Sequence, residues 1–422
     1  MKNKEAWVIA VDMGYGHQRT AYPLRRLAFG GKVINANNYE GISEEDKMAW
    51  KKAKEGYEFI SAFSRTPIIG PLVFGVFNKI QRILTFYPRR DLSKPNLQLK
   101  QTLAPINKGW GEQLIKRLSK KPLPFVATFF TAVFMAEHFK YPGPIYCVVC
   151  DTDISRTWAP LRPKTSRIKY FAPTERVVER LKLYGIKPQN IFLTGYPLPE
   201  ENIGSEKMEV LKADLKNRLV NLDPKKRYFK NYQDLVDLRL GQLPKKSDHP
   251  LTLMFAVGGA GAQKELGVKI VRKLAREIKS GKIKIILVAG IRTKIKEYFL
   301  ENTKGFGSTV EIVFDETMDG YFRKFNEALR RADILWTKPS ELSFYAALGI
   351  PIIIAPPIGS QEDFNKRWLL NSGFGILQKD VNYINEWLFD WLNEGYLAEA
   401  AMQGFIEGEK MGTFNIRKIC FG

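Results

Sequence analysis

The feature that most limits what this chain can become is a series of short, almost uninterrupted apolar runs, typified by IKIILVA and PIIIA. Runs apolar on both alternating faces belong to strands covered on both sides, which is the situation of a parallel sheet between helices. In the first half they fall at Glu5–Asp12, Lys32–Ala36, Pro124–Thr128, Pro144–Cys150, Ile168–Ala172 and Asn190–Thr194. In the second half they fall at Leu251–Val257, Ile283–Ala289, Val310–Phe314, Asp333–Trp336 and Pro351–Ala355. Helical or loop segments separate them, so the pattern predicts an α/β fold with two parallel sheets. The 422 residues exceed one ordinary core, and the expected division is 1–200, 201–249 and 250–422. The middle segment is rich in Lys, Glu and Asp and reads as a solvated helical insertion; the last helix is free to return to the first domain.

Composition is that of a folded globular chain, 45% hydrophobic and 26% charged. No apolar stretch reaches the roughly 18 to 20 residues of a spanning helix, and MKNKEAWVIAVDMGYGH runs straight into a strand, so a cytoplasmic location is expected. A formal charge of +22 favours polyanionic partners, whether nucleic acid, an anionic membrane surface or phosphorylated substrates, without choosing among them. Cys147 and Cys150 form C-x-x-C inside an apolar run, where strand alternation argues for core packing over redox or zinc chemistry.

Three motifs can carry chemistry. In V-D-M-G-Y-G-H, Gly14 and Gly16 let the backbone turn tightly after the first strand, and the helix that follows presents free N–H groups to an anion. His17 adds a group that titrates near neutrality, although a loop histidine without chemistry fits the same pattern. In A-V-G-G-A-G-A-Q-K, Gly258, Gly259 and Gly261 bare the backbone ahead of another helix, which suits a pyrophosphate and equally suits tight packing; no P-loop signature follows. In T-K-P-S-E-L-S-F-Y-A-A-L-G-I-P-I-I-I-A-P-P-I-G-S-Q-E-D-F-N, Ser340 is placed to cap a short helix ending at Gly349. The next strand then delivers Gly359, Ser360, Gln361 and Glu362 at its carboxyl end, where open parallel sheets bind ligands.

Taken together, G-x-G-H, the glycine-rich turn and T-K-P…A-x-G-x-P-x-I…G-x-Q-E-x-x-N resemble the glycosyltransferase family of MurG, plant monogalactosyldiacylglycerol synthase and bacterial processive diacylglycerol glucosyltransferase. The middle, C-D-T-D-I-S-R-T-W…I-K-Y-F-A-P-T-E-R-V…L-Y-G-I-K-P-Q-N-I-F-L-T-G-Y-P-L, is similar to the diacylglycerol enzymes in particular. The likeness covers most of the chain outside 200–250. It implies a GT-B fold, two Rossmann-like domains with parallel sheets facing across a cleft. It further implies a UDP-sugar donor held by the C-terminal domain, inversion at the anomeric carbon, no metal or other cofactor, and a lipid acceptor such as diacylglycerol. By the same resemblance His17 is the proposed base, Gly258–Gly261 the pyrophosphate turn and Gln361 with Glu362 the contacts to sugar hydroxyls. The loop after Val310–Phe314 would frame the uracil through its backbone. Two departures stand out: Phe344 occupies the usual position of a ribose-binding glutamate, with Glu341 one turn earlier as a substitute, and Ser340-Glu341 replaces a glycine pair.

Asp12, Asp151 and Asp153 are further candidates for the base, with capping or structural roles equally open to Asp151 and Asp153, and Arg292 is a candidate for stabilising the departing diphosphate. Segment 59–90 mixes bulky apolar residues with Arg65, Lys79, Arg82, Arg89 and Arg90 and is expected to lie in an anionic bilayer interface, the alternative being two core helices of the α/β domain. The competing functions are a nucleotide-sugar epimerase or hydrolase on the same fold, and a non-catalytic basic binder of membrane or nucleic acid. The last lacks any nucleic-acid motif.

Overall fold

A computed structural model describes residues 4–63, 83–256, 261, 263–357 and 360–422. The chain forms two compact units. One comprises Met1–Pro197, Ile358–Asn365 and Met411–Gly422; the other comprises Leu198–Pro357 and Lys366–Lys410.

The sheet of the first unit contains β1 (Trp7–Ala10), β2 (Ile34–Asn35), β3 (Phe125–Ala127), β4 (Ile145–Val148), β5 (Lys169–Ala172) and β6 (Ile191–Leu193). Their order is β2-β1-β3-β4-β5-β6 and every pairing is parallel. Helix Phe130–His138 is apolar almost all round and is correspondingly buried. On the first unit's sheet, Val8, Ala10, Val126, Tyr146, Val148 and Phe171 form one core cluster with Leu24, Leu27 and Ile416. Ile416 comes from the last helix, Gly412–Phe421, whose Asn415 Nδ2 donates to the Thr194 carbonyl at 2.8 Å.

The second sheet contains β7 (Thr252–Ala256), β8 (Lys284–Gly290), β9 (Val310–Phe314), β10 (Ile334–Thr337), β11 (Ile352–Ile354) and β12 (Gly375–Leu377), in the order β12-β11-β10-β7-β8-β9, again parallel throughout. Each apolar run of the sequence supplies a strand, most of them trimmed at the ends. The twelfth strand was not expected, because Gly375-Ile376-Leu377 is too short and too weakly apolar to stand out.

Segment 201–249 departs from the solvated insertion its charge suggested. Helix Glu209–Leu222 buries Leu211, Leu215, Leu219 and Leu222 at helical spacing, with Arg218 among them. The Arg218 guanidinium is fully buried and donates to the carbonyls of Ala332 at 2.9 Å, Leu348 at 3.0 Å and Gly349 at 3.1 Å. Its charge therefore binds backbone ends of the second unit, as buried polar groups require.

The strand orders fix where ligands can bind. In the first sheet the chain leaves β1 for β2 on one side and β3 on the other; in the second it leaves β7 for β8 on one side and β10 on the other. Each reversal opens a crevice beyond the carboxyl ends of the two central strands.

At the opposite end of the second sheet, both ring nitrogens of His249 face carboxylates, Asp248 at 2.5 Å and Asp333 at 3.1 Å. Asp333 also accepts from the Thr252 amide at 2.7 Å and Asn221 at 3.0 Å. Burial disfavours the imidazolium, but hydrogen bonding and charge from Asp333 and Asp248 outweigh it and hold His249 above the usual histidine range. A raised folded-state value means that the stabilisation is complete below the unfolded value, about 6.5, and is lost as pH rises through the folded value. The melting-temperature gap between wild type and His249→Gln should accordingly be widest below about pH 6.5 and narrow on going alkaline; a gap that widens with pH would contradict this arrangement.

Candidate functional site

The first crevice is built by the two segments that leave β1 and β3. After β1 the chain turns at Gly14, whose φ of 106° is open to glycine and strained for other residues, and enters helix Tyr15–Ala21. Gly16 is thus not part of the turn, as the spacing suggested, but the second residue of the helix. His17 follows it, and Thr128 is the first residue past β3.

His17 Nδ1 lies 2.8 Å from the Thr128 carbonyl oxygen, and Thr128 Oγ1 donates back to the His17 carbonyl at 2.9 Å. A carbonyl only accepts, so Nδ1 carries the hydrogen, and in neutral imidazole Nε2 is left with the lone pair. Cys150 Sγ stands 3.4 Å from the same Nδ1. The ring is held edge-to-face by Phe129 at 4.7 Å, with Trp158 at 6.4 Å. Neither Thr128 nor the two aromatic residues stood out in the sequence, because their part depends on β3 lying beside β1. Cys150 is buried, as read, and in addition touches the candidate base. Cys147 is fully enclosed, and burial pushes its thiol far above the ordinary range.

The three aspartates separate. Asp12 Oδ2 pairs with Lys54 at 2.6 Å and Oδ1 accepts from Gln18 at 3.2 Å, which places a carboxylate with two cationic or polar partners at the carboxyl end of β1. Asp151 is half-buried in the loop after β4. Asp153 is no base. It is 3% exposed, and its two oxygens meet the buried Arg180 side by side, each at 2.8 Å, with Arg176 at 3.4 Å. A carboxylate so paired and enclosed is a structural ion pair.

The loop after β4 makes one more connection. Asn365, 1% exposed, accepts from the Thr152 amide at 3.1 Å and from Thr152 Oγ1 at 2.7 Å. Asn365 belongs to helix Ser360–Asn371, and its first turn, with Gln361 and Glu362, is therefore part of the first unit along with His17. Gly359 lies outside the described residues.

In the second unit the crevice lies beyond β7 and β10, which are tied by Thr337 Oγ1 to the Ala256 carbonyl at 3.2 Å. Gly258 and Gly259 lie outside the described residues; Gly261 has φ 70°, and a side chain there would run into Ile295. Arg292, at the head of helix Thr293–Asn302, approaches the same glycine and is exposed. Ser340 does occupy the capping position, but its side chain makes no capping bond, and the helix it opens, Glu341–Leu348, is of the tighter 3₁₀ type. In that geometry residues three apart eclipse, so Glu341 stands directly in line with the buried Phe344. Phe344 packs on Trp368 with ring centres 5.4 Å apart. At the start of the loop after β9 the Phe314 carbonyl accepts from Lys324 at 3.1 Å, and the Asp315 amide donates to the Gly290 carbonyl at 3.2 Å.

Of the segment expected at a membrane, 64–82 lies outside the described residues, including Arg65, Lys79 and Arg82. Beyond it Phe86 is buried against Arg176 at 3.9 Å and Arg180 at 5.1 Å, and Arg89 reaches Glu179 at 3.6 Å. Among the described residues no helix is long and apolar enough to cross a membrane.

Comparison with known proteins gives three findings. A family model described as a domain of unknown function, DUF6938, matches residues 231–328. The chain is similar to the processive diacylglycerol beta-glucosyltransferases of Bacillus licheniformis, 22% identical over 388 residues, and Bacillus subtilis, 23% identical over 383 residues. Each match covers 89% of this chain and 83% of the relative. Among solved structures, a UDP-GlcNAc 2-epimerase from Neisseria meningitidis bound to UDP-GlcNAc aligns with 15% identity and a TM-score of 0.44, over 78% of this chain and 82% of that one. MurG of Acinetobacter baumannii aligns with 14% identity and a TM-score of 0.42, over 76% and 77%.

The separation of the aspartates is open to a direct check. Asp153→Ala strands a buried guanidinium and should cost about 3 to 5 kcal/mol in chemical denaturation; wild-type stability in this variant would return Asp153 to the list of candidate bases.

Proposed function

We propose that the protein is an inverting glycosyltransferase that moves a hexose from a UDP-sugar to the hydroxyl of a lipid such as diacylglycerol, at a membrane surface and without a metal. The class of enzyme rests on the curated relatives, whose likeness spans most of the chain. UDP, the hexose and the lipid are our reading.

The observation that carries the chemistry is the hydrogen bond from His17 Nδ1 to the Thr128 carbonyl. It orients the imidazole and fixes Nε2 as the proton acceptor, the arrangement a general base requires. The acceptor hydroxyl attacks the anomeric carbon as its proton passes to Nε2. The bond from that carbon to the diphosphate oxygen breaks on the opposite face, and UDP leaves with the bonding pair. Asp12, paired with Lys54, is the alternative base. Glu362, in the first turn of its helix, is assigned to the sugar hydroxyls together with Gln361.

The nucleotide is assigned to the crevice of the second unit, with Gly261 and Arg292 toward the diphosphate and Glu341 toward the ribose. A chain with formal charge +22 also suits an anionic donor and an anionic surface.

His17→Ala should lower transfer by about 10² to 10⁴-fold, the usual loss with a general base, with UDP affinity unchanged. Labelled UDP-glucose and UDP-galactose assayed with diacylglycerol vesicles would measure it, and full turnover by the variant would move the base to Asp12 or Asp151. Calorimetric titration of Glu341→Ala with UDP should show weaker binding; unchanged affinity would remove Glu341 from the ribose.

A further inference from the structure

Asn365 and Thr152 satisfy one another in a buried position with no part in the chemistry above. One side-chain oxygen of Asn365 takes two hydrogen bonds from a single residue of the β4 loop, its amide at 3.1 Å and its hydroxyl at 2.7 Å. Thr152 is 2% exposed and Asn365 1%, so water does not replace these bonds when they break. The Thr152 backbone is also anchored from behind, since Thr174 Oγ1 donates to the Thr152 carbonyl at 3.3 Å. The loop end of this pair is therefore fixed.

What the pair joins gives it a consequence. Two residues before Thr152 stands Cys150, whose sulfur lies 3.4 Å from His17 Nδ1. On the other side, Glu362 precedes Asn365 by three residues in the same helix and Gln361 by four. Residues at these spacings stand one turn apart along one face. A short path of contacts thus runs from the base, through the β4 loop, to the helical turn assigned to the sugar.

We propose that Thr152 and Asn365 are a positioning latch that fixes the Gln361-Glu362 turn relative to His17, so that the sugar is presented to the base in one orientation. Neither residue is catalytic; both act through the turn they hold. The sequence shows Asn365 only as the last letter of Q-E-x-x-N and Thr152 only as a letter of C-D-T-D, and neither motif tells that the two meet.

The inference rests on the proposed transfer reaction for its effect on rate, but not for the latch itself, and the test separates the two. Thr152→Val removes the hydroxyl at nearly constant volume, Thr152→Ser keeps it, and Asn365→Ala removes the acceptor. Hydrogen–deuterium exchange over 360–365 in the full chain should rise in the valine and alanine variants and stay at the wild-type level in the serine variant, with melting temperature as the control for global loosening. In the transfer assay the same two variants should lose about 10²-fold in kcat, the cost of a misplacement near 1 Å, while UDP affinity holds and the serine variant retains its rate. Combining Thr152→Val with Asn365→Ala should add little to Asn365→Ala alone, which already removes both bonds. Unchanged exchange in the alanine variant, which loses both bonds, overturns the latch whatever the activity. Increased exchange with unchanged kcat overturns its role in positioning. Absence of transfer by wild type with any UDP-sugar sinks the proposed function and leaves exchange to decide the latch.

Discussion

The first unit's candidate site depends on the parallel pairing of β1 with β3. Trp7, Val8 and Ile9 lie opposite Phe125, Val126 and Ala127, and this register brings the Thr128 carbonyl to the imidazole of His17. A slip of one residue would move that carbonyl by about 3.3 Å along the strand and turn the alternate side chains to the other face. The register is protected by burial: Phe125, Val126 and Ala127 are wholly enclosed, so any slip would expose apolar surface. The hydrogen bond that orients the candidate base is in this way set by core packing, and the aromatic ring of Phe129 completes its seat.

The second unit repeats the plan with different chemistry. The crevice beyond β7 and β10 has glycine backbone and an exposed arginine where the first unit has an imidazole among aromatic rings. One half suits the binding of anionic groups, the other the removal of a proton. The assignment of Ile358–Asn365 to the first unit sharpens this division, since the turn expected to hold the sugar is grouped with the base rather than with the nucleotide crevice.

Much of the fold was legible because parallel strands covered on both faces leave an unmistakable apolar signature, and the parallel α/β architecture followed from alternation with helices. The strand order was not legible, and with it went every residue whose role depends on adjacency: Thr128, Phe129, Trp158 and the Thr152–Asn365 contact. Local conformation also exceeded the pattern. Gly16 entered the helix instead of the turn, and Ser340 took the capping position without a capping bond. At Asp153 the structural alternative is the one the geometry takes, as a buried partner of Arg180, and charge misled at helix Glu209–Leu222, where a charged composition concealed a buried leucine stripe. In the helix the period of 211, 215, 219 and 222 was available and was outweighed by composition; for Asp153 nothing in the sequence announces Arg180 as its neighbour.

The central claim is that His17 presents Nε2 as a proton acceptor because Nδ1–H is committed to a carbonyl. Nitrogen NMR of the protein labelled in its histidine rings tests this directly, with only His17, His138 and His249 to assign. The account predicts that at neutral pH the signal lost in His17→Ala belongs to a neutral ring protonated at Nδ1. A His17 ring protonated at Nε2 would contradict it, because the nitrogen offered to the substrate would then have no lone pair to receive a proton.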